Sequence, residues 1–281
     1  MRFVTFELQG KARPGIVTGA DVVDLSEEGF GSLLEIIEGV VERRADASKF
    51  LRSTRSHKLS AIRLLAPIPI PRKFICVGLN YLDHAKESGA EIPNVPTIFN
   101  KFATTVIGPG QPIVLPKVSN SPDYEGEFAV IIGKGGRYIK ADNWREHVFG
   151  YTVVNDVSAR DFQRATTQWL MGKTFDTFGP MGPWIVTADE IADPHALDIR
   201  TEINGEVLQN SNTRELIFKV PQLLEFLSQV FTLQPGDVIS TGTPAGVGFS
   251  HNPPRWLKPG DDVVITIAGI GELRNPVVAE S

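Results

Sequence analysis

Cys76 is the only cysteine in 281 residues, so an internal disulfide and a thiolate metal site are both excluded, and a reducing, cytosolic compartment is expected. The five histidines, at positions 57, 84, 147, 195 and 251, include no pair at zinc-helix spacing, which argues against a soft-metal centre. No apolar run approaches the roughly 18 residues of a membrane span. The opening run Met-Arg-Phe-Val-Thr-Phe-Glu-Leu alternates like a strand and lacks the apolar core of a signal peptide. Lysine and arginine never form a block interleaved with aromatics, and the formal net charge is −5, so nucleic acid is not an expected partner. A small anionic substrate stays compatible, because a local site can be positive in an acidic protein. There is no Gly-x-Ser-x-Gly elbow, which leaves a covalent serine mechanism without support. Gly172-Lys173-Thr174 resembles the end of a phosphate loop but fails, because Thr167 stands where that motif needs glycine.

What remains is an ordinary globular composition, 42% hydrophobic and 22% charged, long enough for one large domain or a large and a small one. The most informative stretch is Asp123-Tyr-Glu-Gly-Glu-Phe-Ala-Val-Ile-Ile-Gly133, which predicts a buried strand closed by glycine. Glu125 and Glu127 then share one face, about 7 Å apart. Two like charges on one face mark either the wet side of an exposed strand or a cation between them. A cation held there by oxygen ligands would be hard, Mg2+ or Mn2+. Phe149 to Asp156 reads as a second strand, with Asp156 at its end either joining a site or serving as a helix-entry residue.

Residues 1–24 predict a small β-meander with a turn at Pro14-Gly15, followed by a helix from Ser32 through Val41 at capping-box spacing. Residues 42–60 have weak helical character. The alternating prolines of 66–73 predict an extended linker, which divides the chain into a small N-terminal domain, 1–68, and a catalytic domain, 69–281. Past the strand Phe74–Val77, Asn80 or Asp83 is expected to cap a short helix stopped by Gly89. On it His84 and Glu87 lie at i, i+3, as a surface ion pair or as an oriented general base. Ser158 to Asp161 has helix-start spacing. Lys173, among Trp169, Leu170, Met171 and Phe175, either snorkels or pairs with an anion. Residues 178–187 suit a tight turn into a strand, Asn204-Gly205 a hairpin, and 216–230 a helix. Thr241 to Gly248 is a glycine-rich loop that does not match the dinucleotide fingerprint.

The run Val77-Gly-Leu-Asn-Tyr-Leu-Asp-His84-Ala-Lys-Glu87, then Glu125-Gly-Glu127, Asn155-Asp156-Val-Ser-Ala-Arg-Asp161, Lys173-Thr-Phe-Asp and Thr241-Gly-Thr-Pro-Ala-Gly-Val-Gly248 occur in that order. Together they resemble the fumarylacetoacetate hydrolase family over residues 70–278, and among its members the small ones acting on acylpyruvates and oxaloacetate. The resemblance implies a sheet-rich α+β fold, a distorted β-roll or barrel behind a small N-terminal α+β domain, normally as a homodimer. It implies Glu125, Glu127 and Asp156 as ligands of Mg2+ or Mn2+. Lys173 would contact the substrate, with Lys101, Gln163 and Thr243 as further substrate contacts. His84 and Glu87 would activate water on a helix that closes as a lid. The implied activity is on small 2-oxo acids with a second carbonyl, foremost C–C hydrolysis of acylpyruvates. Tautomerisation or decarboxylation of oxaloacetate, or a catalytically silent metabolite-binding role, are the alternatives.

Overall fold

A computed structural model of the chain describes residues 1–43 and 55–281. The fold is sheet-rich α+β with few helices. Among the described residues the main sheet runs, strand beside strand, from 56–58 through 21–24, 11–18, 2–8, 179–187, 148–155, 126–132, 238–240 and 74–78 to 97–100. Its two ends do not meet, so no closed barrel forms. The N-terminal meander joins this sheet directly, because Arg2 and Phe3 pair antiparallel with Val186 and Ile185. A second sheet, ordered 206–212, 198–203, 262–267, 271–279 and 113–115, packs on one face.

The strand Gly126–Ile132 shows why its sequence is a continuous apolar run. Phe128, Val130 and Ile132 enter the core shared with Ile199, Ile265 and Leu273 of the second sheet. Ala129 and Ile131 enter a different core, with Phe3, Ile36, Ile37 and Met181. A strand buried on both faces has no polar side to present. The neighbouring strand Val148–Asn155 lies so close to 179–187 that a Cβ on Gly150 would sit 2.2 Å from the Val186 carbonyl oxygen. Backbone cannot move aside as a side chain can, so Gly150→Ala is expected to lower stability by about 1–3 kcal/mol. Urea denaturation reads this, and an unchanged midpoint would mean the strands spread freely there.

Several local expectations change. Pro14-Gly15 lies inside the strand Lys11–Thr18, and the turn before that strand is made by Gln9 and Gly10, both at positive φ. The weak helix expected over 42–60 falls partly outside the described residues; Ser56–Lys58 is a strand. The stretch 123–133 is interrupted: Pro122–Asp123 pairs with Ser158–Ala159, and the long strand starts only at Gly126. Ser158 is therefore strand rather than helix cap, and its hydroxyl donates to the Asp156 carbonyl. The helix Leu82–Ser88 is capped by neither Asn80 nor Asp83. Asn80 instead donates to the Phe218 and Thr241 carbonyls, tying this helix entry to two distant loops. Residues 179–187 are one strand, not a turn, and the last long helix begins at Val220, four residues later than expected, with proline in its first turn. The Asn204-Gly205 hairpin and the helix from Leu33 form as read.

Candidate active site

Backbone pairing brings the acidic residues together. Gly126 lies opposite Asn155, and the Asp156 N–H donates to the Glu125 carbonyl at 2.9 Å. The chain breaks its strand at Glu125, yet the Asn155 side chain holds the Glu125 N–H at 3.1 Å and Gln209 holds that of Gly126 at 2.9 Å. As a result one oxygen each of Glu125, Glu127 and Asp156 lie within 4.8 Å of one another, and all three residues are buried.

Basic groups surround this triad on one side only. Lys173 Nζ donates to Glu125 Oε2 at 2.6 Å and to Asp156 Oδ2 at 2.8 Å. Arg160 Nη2 lies 2.7 Å from Glu125 Oε1. Lys101 Nζ donates to Asp156 Oδ1 at 2.5 Å. Burial raises the Glu125 carboxyl, but Lys173 and Arg160 outweigh it and bring it down to about 2. Burial likewise works against a charged Lys173, and the Asp156 and Glu125 carboxylates override it, so the ammonium is held above its usual value. Among the described residues Glu127 has no ion-pair partner. Its Oε2 accepts from the Ser240 hydroxyl at 2.5 Å and the Gly242 N–H at 3.0 Å. Burial first, then the charges of Asp156 and Glu125, push its carboxyl well above the ordinary range. A buried carboxylate left without counter-charge beside two others is what a divalent cation satisfies. Oxygen-only donors with room for water or substrate fit a hard ion.

Glu125 and Glu127 open on a cavity of about 220 Å3, lined also by Lys173, Gln163, Thr243 and His84. Drug-sized ligands need about 300–1,000 Å3, so this one suits a smaller acid. Gln163 accepts from Arg160 Nη1 at 2.9 Å through Oε1, which leaves its amide N–H groups for a ligand. Thr243 donates to the Gly126 carbonyl at 3.1 Å. Lys101 does not line the cavity; it sits behind Asp156 and also donates to the Val157 carbonyl. His84 Nδ1 lies 3.3 Å from Glu87 Oε2, and the Gly246 N–H donates to Glu87 Oε1 at 2.9 Å. Burial raises the Glu87 carboxyl, but hydrogen bonds from His84 and Gly246 outweigh it and lower it overall. The glycine-rich loop is thus a clamp: Gly242 holds a triad carboxylate and Gly246 holds the partner of His84. Both glycines have positive φ, and a Cβ on Gly246 would sit 2.0 Å from the Leu208 carbonyl oxygen.

Asp123, Arg160 and Phe249 went unassigned in the sequence. Asp123 is fully buried and accepts from Arg160 Nε at 2.8 Å and from the N–H groups of Gly248 and Phe249 at 2.6 and 3.1 Å. Phe249 packs its ring edge-on to His84, with centroids 6.0 Å apart. The available signal was the Asp-x-x-x-Arg spacing of Asp156 and Arg160. The partner segment, 248–249, lies over a hundred residues away and leaves no local trace.

A buried three-carboxylate centre with a lysine bridging two of its members could hold a divalent cation. The family described as fumarylacetoacetate (FAA) hydrolase C-terminal matches residues 73–278. The chain is similar to oxaloacetate tautomerase fahd2, mitochondrial, of Xenopus laevis, with 45% identity over 99% of this chain and 90% of that one. Among solved structures it is similar to a putative HpcE protein from Mycobacterium smegmatis, at 38% identity and TM-score 0.91, with all of both chains covered. A second is maleylpyruvate hydrolase from Sphingobium sp. SYK-6 in complex with manganese(II) and pyruvate, at 32% identity and TM-score 0.85, again over both chains in full. The chain belongs to the fumarylacetoacetate hydrolase family.

Proposed function

We propose that this protein is a divalent-metal-dependent oxaloacetate tautomerase. The observation that carries the reading is one small cavity lined by Glu125, Glu127, a charged Lys173 and His84, with Asp156 paired to Lys173 and Glu87 paired to His84. Interconverting keto and enol forms moves one proton between carbon 3 and the 2-oxygen, which requires one donor and one acceptor. Lys173, held in its ammonium form, donates toward the 2-oxygen as negative charge develops there. His84, oriented by Glu87, takes the carbon-3 proton as Lys173 gives one to the 2-oxygen, and a proton passing from His84 to Lys173 restores both; ketonisation runs these transfers in reverse. Gln163 and Thr243 fix the substrate between them. Mg2+ or Mn2+ held by Glu125, Glu127 and Asp156 would supply Lewis acidity to the substrate oxygens. The tautomerase name of the Xenopus relative, similar over 99% of this chain, supports oxaloacetate as the substrate. It moves the leading expectation away from acylpyruvate hydrolysis.

The test follows loss of enol-oxaloacetate absorbance with purified protein. A rate above the buffer reaction in Mg2+ or Mn2+, abolished by chelator, is expected; no acceleration with either ion would sink the reading. His84→Gln is expected to lower that rate by about 10²-fold or more, the usual size of a lost general base. Hydrolysis is a second reading, favoured by the same His84–Glu87 pair, which could equally activate water, and by the similarity to maleylpyruvate hydrolase. Pyruvate release from acylpyruvates at a higher kcat/KM than oxaloacetate tautomerisation would select it.

A further inference from the structure

Three lysine and arginine side chains line the cavity: Lys173, Arg160 and Arg164. Two of them are neutralised within the chain. Lys173 pairs with Glu125 and Asp156, and Arg160 pairs with Asp123 and Glu125. Arg164 has no carboxylate partner among the described residues. Its neighbour in sequence, Asp161, is turned to Ser119 and the Asn120 N–H. Arg164 is nevertheless not a free surface chain. Its guanidinium carbon lies 4.5 Å from the centroid of the Phe249 ring, and that of Arg160 lies 4.7 Å from the same ring. One aromatic ring thus holds two like charges, one buried and compensated, the other exposed at the cavity wall and uncompensated.

Charge balance says what this arrangement awaits. Asp123, Glu125, Glu127 and Asp156 are buried together with Lys101, Arg160 and Lys173. A divalent cation on the triad leaves that cluster one positive charge in excess, which a single substrate carboxylate matches. A second carboxylate has no counter-charge inside. Arg164 offers one, at the exposed end of a path that runs from Glu125 through Arg160 and Phe249 to solvent. We propose that Arg164 binds the distal carboxylate of the substrate, so that the cavity selects 2-oxo acids carrying a second carboxylate over those with a neutral tail. The planar guanidinium pairs with a carboxylate through two parallel hydrogen bonds, and stacking on Phe249 fixes the plane in which they form. This assignment rests on the 2-oxo-acid reading of the cavity.

Arg164 is exposed, so its replacement does not threaten folding. In Arg164→Met, KM for oxaloacetate is expected to rise about 10–100-fold, the size of a lost charge-assisted hydrogen bond. The value for acetylpyruvate, which has a neutral tail, should stay within a factor of two or so, and Arg164→Lys should recover part of the loss. Binding supplies a readout independent of turnover. Malate and lactate share a chelating 2-hydroxy acid and differ in the distal carboxylate. Calorimetry in Mg2+ should show wild-type protein preferring malate and Arg164→Met losing that preference. If wild-type protein fails to tautomerise oxaloacetate but this malate preference behaves as stated, the activity falls and the Arg164 assignment stands. An unchanged malate preference in Arg164→Met, or equal weakening toward both acids, overturns the assignment whatever the activity.

Discussion

Glu127→Gln is expected to lose metal-dependent turnover by about 10²–10³-fold or more, while the metal-free protein melts no lower than its parent. The first half follows from charge. A cation's help to a developing negative oxygen is worth several kcal/mol, each 1.36 of which is a factor of ten in rate. Removing one of three negative ligands weakens the hold on that cation directly. The second half follows from the surroundings of Glu127. It is the triad member with no ion-pair partner among the described residues, buried and crowded by Asp156 and Glu125. A glutamine oxygen can still accept from Ser240 and the Gly242 N–H, so the neutral isostere keeps both hydrogen bonds and removes the repulsion. Thermal melting in chelator and rate against Mg2+ concentration test the two halves separately. Full rate with an unchanged Mg2+ requirement would show that this carboxylate does not hold the ion.

Lys173→Met makes the opposite prediction. Lys173 is 2% exposed and bridges Glu125 and Asp156. Methionine fills similar space but leaves those two buried carboxylates facing each other without their shared cation. Breaking a buried pair in this way costs about 3–5 kcal/mol. The loss should be largest in chelator and partly reversed by Mg2+, because the metal supplies the positive charge that the lysine no longer does. Turnover should remain very low in either condition, since the proposed proton donor is gone. Chemical denaturation with and without Mg2+ reads the difference. An equal loss of stability in both conditions would mean that lysine and metal do not share the same carboxylates.

These two variants separate what chain order discloses from what it does not. The Phe128–Ile132 run was legible as a buried strand because strands announce themselves locally, but its pattern left Glu125 and Glu127 as either a wet face or a cation site, and it was the family resemblance that joined them to Asp156. The route was partly wrong in detail. Glu125 lies outside the regular strand, so simple alternation is not what aims it at Glu127; the pairing of its backbone with Asn155 and Asp156 does that. The helix carrying His84 was readable from Gly89, but its anchoring was not. Asn80 was expected as a cap and is instead a bolt between loops near 218 and 241.

The amino-acid sequence alone pointed to a sheet-rich protein with two carboxylates at a strand entrance, because periodicity, glycine placement and carboxylate chemistry act over a few neighbouring residues, and the family resemblance added Asp156 to them. Only the tertiary structure decided which bases neutralise which acids. Lys101 turned out to back Asp156 rather than face the cavity, Lys173 to bridge two carboxylates, and Glu127 and Arg164 to have no ion-pair partner among the described residues. Electrostatic pairing inside a low-dielectric core depends on distances of a few ångströms between residues tens to more than a hundred positions apart, and nothing local in the chain encodes those distances.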